Sequence, residues 1–527
     1  MWDALGAGIA SLLCYLFTLA PDLTWAHWGA DGGDFVAAAV TGRVPHPPGF
    51  PVYMAFADVF VRLPWRSPAW RLNLLSAVMA SATVMLLAYT AQRRGAPRWS
   101  ALAASCSLTV APLFWSQALI TEVYTTAAFF VALTLLLWTE MVACPHPSPL
   151  NPTPADCSSL RHVPPLREGA RFSLSLWERA RVREWLVAGV VWGLGIAVHT
   201  TLVFLAPLFL ASLFTARRSS GQRWWRLCLA LAMGALLGLT PYMLLPLRGS
   251  WPQPWGDLRS LGGWWHMVSG RLYWGFAFGV PWLRWPRRLL FWAALMARQF
   301  TPLGALVVLL GVYIRQHTRA NHAESGYIKA KLAEVLSMVT VFALVGLYTV
   351  GYNTPDSLVY MVAFLPLAAL WLAEGLAWLA ERSVPAWAGM ALPLMLALLN
   401  WQAMDVHTNW DAVIWMRRVL AQTPQEAVLV TAQDHHTFAL WYAQEGLDLR
   451  QDVCVVDRDL WASSSYRQFL FPHSPSQGRG EEDIEDLAAG LEQSADKTVD
   501  GLPSERRRPY CQVYEKEVRC GRPAAGE

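Results

Sequence analysis

Apolar residues along this chain gather in long uninterrupted runs, not in the period-2 or period-3.6 stripes of a soluble core. Runs near 4–21, 70–91, 98–115, 122–142, 184–198, 201–216, 227–247, 289–313, 333–351, 358–380 and 385–403 approach or reach the roughly 17–25 residues that cross a hydrocarbon layer. They predict an α-helical polytopic membrane protein with about 11 transmembrane helices. The stretch 184–216 reads either as one long helix or as two short ones meeting near His199-Thr200. Two helices keep Arg183 and Arg217 on the same side, and the charge rule favours them. The first run lacks both a basic start and a small-residue cleavage site, so it reads as a retained helix and not as a cleaved signal.

After residue 403 the pattern changes. Ala427-Val-Leu-Val-Thr431 and Val453-Cys-Val-Val456 are short β-branched runs flanking a helix-like stretch from Thr437 to Glu445, which predicts a β–α–β element. Asp434-His435-His436 falls where the first strand ends, the place where open α/β sheets carry ligand loops. The same triplet also reads as a polar turn capping the helix. Residues 144–183 and 471–481 are rich in Pro, Ser and Arg without apolar periodicity, and read as an inserted loop and a linker. The predicted organisation is a membrane domain over 1–403 with a cytoplasmic insertion at 144–183, a small α/β extracytoplasmic unit over 404–470, and a poorly ordered tail over 471–527.

Composition agrees: 54% of residues are hydrophobic and 15% charged. The net charge of +4 does not point to nucleic acid, because the Arg residues cluster in short loops and report orientation. Loops around Arg93-Arg94, Arg161 to Arg183, Arg217 to Arg226 and Arg315 to Lys331 fall on one side, predicted to be cytoplasmic. Arg284, Arg287 and Arg288 weigh against this map. On it, Asp31-Gly-Gly-Asp34, Glu122, His199, the loop 248–288, the turn Asn353 to Asp356 and everything after 403 share the opposite side. Ionisable residues at a membrane edge are costly to hold and tend to mark function. Of the eight cysteines, Cys511 and Cys520 are placed to form a disulfide in an oxidising compartment.

The ordered motifs carry a resemblance. Asp31 to Asp34, His46-Pro-Pro-Gly-Phe-Pro51, Asn73-Leu-Leu-Ser76, Trp115-Ser-Gln, Thr121-Glu-Val-Tyr124, Gly193-Leu-Gly to His199, Tyr242 with Pro246-Leu-Arg248, and Tyr352-Asn-Thr-Pro-Asp356 follow one another. Together they resemble the prokaryotic protein O-mannosyltransferase-like membrane family, which is similar to type C (GT-C) glycosyltransferases. The resemblance runs over roughly 1–460. It implies a multi-pass enzyme of the prokaryotic cytoplasmic membrane, an acidic motif in the first outward loop, a sugar donor on a polyprenyl phosphate and a hydroxyl acceptor on protein, lipid or glycan. Family members commonly carry a longer acid where this chain has Asp34.

Each residue then has two readings. Asp31 is the candidate base that takes the acceptor proton, with Asp34 positioning; alternatively the pair is a helix cap and a first-turn acid. Asp34 with Glu122 could instead hold a divalent cation; otherwise no metal is assigned. Arg248, at the end of a span, is the candidate phosphate clamp, or it snorkels to the interface. His46 and His199 read as phosphate-binding residues or as local caps. Glu122 and Tyr124 line the site or open a helix, and Asn353 and Asp356 bind substrate or make a turn. Trp255, Trp264, Trp265, His266 and Tyr273 read as an interfacial belt. The competing class is a transporter or flippase of lipid-linked sugars, which calls for paired repeats and ionisable groups near the midplane. A third reading is a noncatalytic scaffold displaying the 404–470 unit.

Overall fold

The computed structural model describes residues 1–143, 170–220, 224–249, 251–317, 325–382, 384–470, 510–514 and 518–520. The membrane domain begins with α1 (Trp2–Thr18), followed by α2 (Gly32–Thr41), α3 (Pro51–Phe60) and α4 (Pro68–Arg93). Ser67 caps α4 by accepting from the Trp70 amide, and Pro68 occupies its first position, where a missing N–H costs nothing. The predicted run 98–115 is two helices, α5 (Arg98–Thr109) and α6 (Pro112–Gln117). Pro112 cannot donate to a continuing helix, so it opens the second one.

Next come α7 (Tyr124–Ala143) and α8 (Ala170–Val198). The 144–183 segment lies mostly outside the described residues, but from Ala170 it forms the start of α8. The helix stops at His199, whose backbone is extended, and a 3₁₀ turn over Thr200–Leu205 leads into α9 (Ala206–Ser220). Two helices thus meet at His199. Then α10 (Trp224–Leu239) packs against α8 through facing Gly-x-x-x-Gly pairs. A Cβ on Gly189 would sit 2.3 Å from the Leu231 carbonyl oxygen, and one on Gly238 would sit 2.3 Å from that of Val190. Small residues let the two backbones touch, the device membrane helices use where lipid offers no hydrophobic drive.

The remaining helices of the domain are α11 (Leu261–Val268), α12 (Trp285–Gln299), α13 (Thr301–His317), α14 (Ser325–Gly351), α15 (Leu365–Ala380) and α16 (Ala391–Met404). The run predicted at 289–313 bends by 93° between α12 and α13, around Thr301 with its positive φ of 61°. Among the described residues six helices are long and apolar enough to cross a membrane, and seven if that bent pair is one span. The eleven predicted runs exceed this number for physical reasons. Breaks at Pro112 and Phe300 divide apolar runs, and α1, α16 and the apolar run 184–198 within α8 are shorter than a full crossing. The protein is an integral membrane protein with a mostly helical fold.

The C-terminal unit contains α17 (Asp411–Gln422), β1 (Val428–Thr431), α18 (Asp434–Trp441), β2 (Cys454–Asp457) and α19 (Ser464–Leu470). The predicted β–α–β element is present, with β1 and β2 parallel and in register from Val428 opposite Cys454. Two further strands complete the sheet: β3 (Tyr510–Val513), parallel to β1, and β4 (Val518–Cys520), antiparallel to β3 and joined to it by the Cys511–Cys520 disulfide. The order is β2-β1-β3-β4. These strands come from the segment predicted as a poorly ordered tail, whose residues 471–509 lie outside the described set. The hydrophobic alternation that would have shown β3 and β4 is only three or four residues long, and the pairing of β3 with β1 spans about 80 residues.

This unit sits directly on the first loop of the membrane domain. The Tyr442 hydroxyl donates to Asp22 at 2.7 Å, the Thr24 hydroxyl donates to Asn409 at 2.8 Å, and the Val406 amide donates to the Thr18 carbonyl at 3.2 Å. Gly33 is the point of closest approach, since a Cβ there would lie 2.3 Å from the Phe438 carbonyl oxygen. Only glycine lets α2 and α18 meet at that distance.

Candidate active site

Asp31 stands at the N-cap of α2 but makes no side-chain capping bond. Its carboxylate is turned elsewhere, which removes the capping reading. The helix ends at Gly42, whose φ of +75° is the left-handed C-terminal stop that glycine supplies. The chain then folds back through Arg43 and the Pro-rich loop, with a cis peptide at Pro47-Pro48 and a positive φ at Phe50, before Pro51 opens α3. Arg43 and His46 come to lie against the acids as a result.

Asp34 is fully buried, and both its oxygens are used. Oδ1 accepts from Arg43 Nη1 at 2.7 Å, while Oδ2 accepts from the His46 amide at 2.7 Å and from His46 Nδ1 at 2.9 Å. Burial alone would raise the Asp34 pKa, but Arg43 and then His46 outweigh it and hold the group below the ordinary carboxylate value. The far nitrogen of the ring, Nε2, lies 3.5 Å from Asp31 Oδ2. Burial would lower the His46 pKa, yet Asp31 and Asp34 on its two sides raise it. Asp31, 34% exposed, is raised by desolvation against the pull of His46, with Asp356 and Asp34 adding to the rise. The two acids therefore differ in kind: Asp34 is locked and ionised, and Asp31 faces open space.

That space is a cavity of about 710 Å³. Asp31, His46, Glu122, Tyr124, His199 and Asp356 all line it, so residues more than 300 positions apart in sequence converge there. Glu122 is buried, and desolvation, with Asp31 and Asp356 adding, raises its pKa well above the usual range. Burial thus favours its neutral form, which can donate a hydrogen bond. His199 is held at about 4 by burial first and by His46 second, so its ring is neutral. Its Nδ1 faces the Thr201 hydroxyl at 2.7 Å and the Thr201 amide at 3.4 Å. That assigns the acceptor role to Nδ1 and leaves Nε2 carrying the proton. Tyr273 of the predicted aromatic belt also lines the cavity, with Trp274 beside it; Trp265 is exposed.

Three expectations are corrected by the geometry. Arg248 does not reach this cavity; its Nη1 and Nη2 clasp Asp58 at 2.6 and 2.9 Å, beside a separate cavity that also holds Arg62 and Arg71. A bidentate carboxylate partner has taken the fork proposed for phosphate. The pairing of Asp34 with Glu122 around a cation fails because Arg43 and His46 already occupy Asp34, and among the described residues no three His, Cys, Asp or Glu side chains are arranged to hold a metal ion. Asn353 is exposed and donates its amide to the Phe276 carbonyl, so it belongs to the turn and not to the cavity lining.

Asp434 and His435, at the start of α18, line the cavity from the C-terminal unit. Burial, with Asp31 next, pushes Asp434 up to about 6. Two participants have no sequence signal strong enough to find them. Arg43 lies between the two motifs and could have been noted as a cation beside two acids. Glu445, which accepts from Arg43 Nε at 2.9 Å, sits in an ordinary helical pattern 402 residues away.

The structure joins a mostly helical membrane domain, a cavity lined by Asp31 and His46, and a small α/β unit that brings Asp434 and His435 to the same cavity. The structure is similar over 97% of its length to ArnT from Cupriavidus metallidurans, with a TM-score of 0.54 and 12% identity to the apo state and 0.51 and 11% to the state bound to undecaprenyl phosphate, covering 92% of that chain in each case. Residues 31–223 match the family model of the protein O-mannosyl-transferase TMEM260 N-terminal domain. The chain is 23% identical over 264 residues to protein O-mannosyl-transferase tmem260 of Dictyostelium discoideum, and 24% identical over 242 residues to protein O-mannosyl-transferase TMEM260 of Mus musculus. Those matches cover 48% and 45% of this chain, and 29% and 30% of the relatives' lengths. Part of the chain is thus similar to protein O-mannosyl-transferases, and the whole has a fold similar to that of ArnT.

Proposed function

We propose that the protein is a membrane glycosyltransferase that moves a sugar, mannose by its family likeness, from a polyprenyl-phosphate donor to an acceptor hydroxyl on the extracytoplasmic side. The observation that carries this reading is the convergence of Asp31, His46, Glu122, His199 and Asp356 on one cavity. Asp31 takes the proton of the incoming hydroxyl as its oxygen bonds to the anomeric carbon. The bond from that carbon to the phosphate oxygen breaks, and the phosphate leaves on its lipid. Attack opposite the leaving group inverts the centre, as one carboxylate does in inverting glycosidases.

Among the described residues no Lys or Arg lines the cavity, so the leaving phosphate depends on imidazole groups. The two acids beside His46 favour its charged form against burial, and His199 presents a neutral Nε2–H. Donors already fixed before reaction stabilise developing charge at little reorganisation cost. Neutral Glu122 is suited to donate to a sugar hydroxyl, and the tyrosines around it offer faces on which a sugar ring can stack.

The test is transfer from polyprenyl-phosphate mannose by the purified protein in lipid, with Asp31→Asn compared at equal folded concentration. General-base catalysis contributes about 10²–10⁴-fold, and a loss of that size is expected. Equal rates in the two proteins would overturn the assignment of Asp31, and donor movement across the bilayer without transfer would favour a flippase.

A further inference from the structure

We infer that the C-terminal α/β unit is a working part of the active site, because Glu445 positions the acid pair through Arg43. This rests on the reading of Asp31 as the base. The contacts form an unbroken line. Glu445 Oε2 accepts from Arg43 Nε at 2.9 Å, Arg43 Nη1 donates to Asp34 Oδ1 at 2.7 Å, Asp34 Oδ2 accepts from His46 Nδ1 at 2.9 Å, and His46 Nε2 lies 3.5 Å from Asp31. Glu445 touches neither His46 nor Asp31, so it is a positioning residue.

The line has few alternatives available to it. Arg43 is 5% exposed and its guanidinium lies 4.7 Å from the centre of the Trp441 ring, on the same unit as Glu445. A planar guanidinium held between two carboxylates and an aromatic face has its direction fixed by all three. Removing the carboxylate on one side releases Arg43 toward Asp34, and Asp34 is the acceptor that sets the His46 ring. A misplacement of about 1 Å at a reacting group can cost about 10²-fold in rate. The close meeting of Gly33 with Phe438 brings Glu445 within reach of Arg43.

The experiment compares full-length wild type, Glu445→Gln, Glu445→Asp, Tyr442→Phe and Asp31→Asn in lipid with polyprenyl-phosphate mannose, reading kcat, KM and the pH profile. The groups facing Asp31 are His46, Asp34, Asp356, Glu122 and Asp434, with Tyr124 and Tyr273. Glu445→Gln is expected to lower kcat about 10-fold or more with KM unchanged. It should also move the acid limb upward, because a displaced His46 no longer favours the ionised form of Asp31. Glu445→Asp should recover part of the loss. Tyr442→Phe loosens the same unit at Asp22 without touching the line, and should leave the limb in place. In parallel, mass-spectrometric deuterium exchange at the imidazole C2 reads the His46 pKa without turnover, and Glu445→Gln should move it down toward the ordinary value. An inactive Asp31→Asn beside a Glu445→Gln protein with wild-type kcat and limb, or an unmoved His46 pKa, would overturn the inference alone. An active Asp31→Asn would overturn the underlying reading instead.

Discussion

Two buried arginines in this molecule are each clasped by two carboxylates, and they do different things. Arg43 lies between Asp34 and Glu445. Arg94, at the end of α4, reaches Glu334 on α14 and Glu374 on α15, both at 2.9 Å. Both guanidinium groups are almost fully buried. Around Arg94 the neighbours are packed helices, and the cluster joins three elements. Around Arg43 one carboxylate passes its orientation to an imidazole, and the imidazole borders a cavity. A buried ion triad is weak evidence for stability and none by itself for function. The group it orients decides what it is for.

The largest difference should come from removing each arginine. Arg43→Ala and Arg94→Ala both leave carboxylates buried without their partner, which costs about 3–5 kcal/mol of stability, read as a lower thermal unfolding midpoint in detergent. Their activities per folded molecule should separate: Arg94→Ala keeps the wild-type rate, and Arg43→Ala falls about 10²-fold. Similar activity losses in the two would erase the distinction.

Gly33→Ala should come next. Its methyl group would collide with the Phe438 carbonyl, and overpacking of this kind costs about 1–3 kcal/mol. The C-terminal unit is expected to lift from α2, exposing the Arg43–Glu445 contact to proteolysis between the domains, with activity falling in step. Arg248→Gln should do less. Its pair with Asp58 is partly exposed, so about 1 kcal/mol or less of stability is at stake, and transfer should continue at the wild-type rate. A loss of donor binding in that variant would restore Arg248 to the site.

The smallest effect is a pH effect at Asp434. Its folded pKa of about 6 lies above the unfolded 3.8, so its contribution to stability is complete below pH 3.8 and is lost as pH rises through 6. The residue keeps substantial contact with solvent, which reduces the effect to about a few tenths of a kcal/mol. Asp434→Asn should flatten the stability curve between pH 4 and 6. An unchanged slope there would show that the carboxylate titrates as it does in the unfolded chain.

Much of this was legible in the residues. Long apolar runs specified a membrane helical domain, because hydrocarbon thickness sets a length that sequence reports directly. The break at His199 followed from the placement of Arg183 and Arg217. Of the proposed site, Asp31, His46, Glu122, Tyr124, His199 and Asp356 meet at one cavity, since each stands at a polar interruption on the same side of the predicted map. Arg248 did not follow, because Asp58, one helix away, offers a better-matched partner, and nothing in spacing reveals which carboxylate an arginine will choose. Glu445 and strand β3 stayed hidden for a related reason: Arg43 and β1 lie about 400 and 80 residues away, and local pattern carries no record of them.

The contact between Arg43 and Glu445 also sets an order of events. Glu445 is synthesised about 400 residues after Arg43 and has to reach the same face before the two can meet. Until then α2 and the Pro-rich loop are inserted, yet Asp34 and His46 lack the outer carboxylate that steadies them. The acids of the first loop therefore stay unaligned until the C-terminal unit has folded over them.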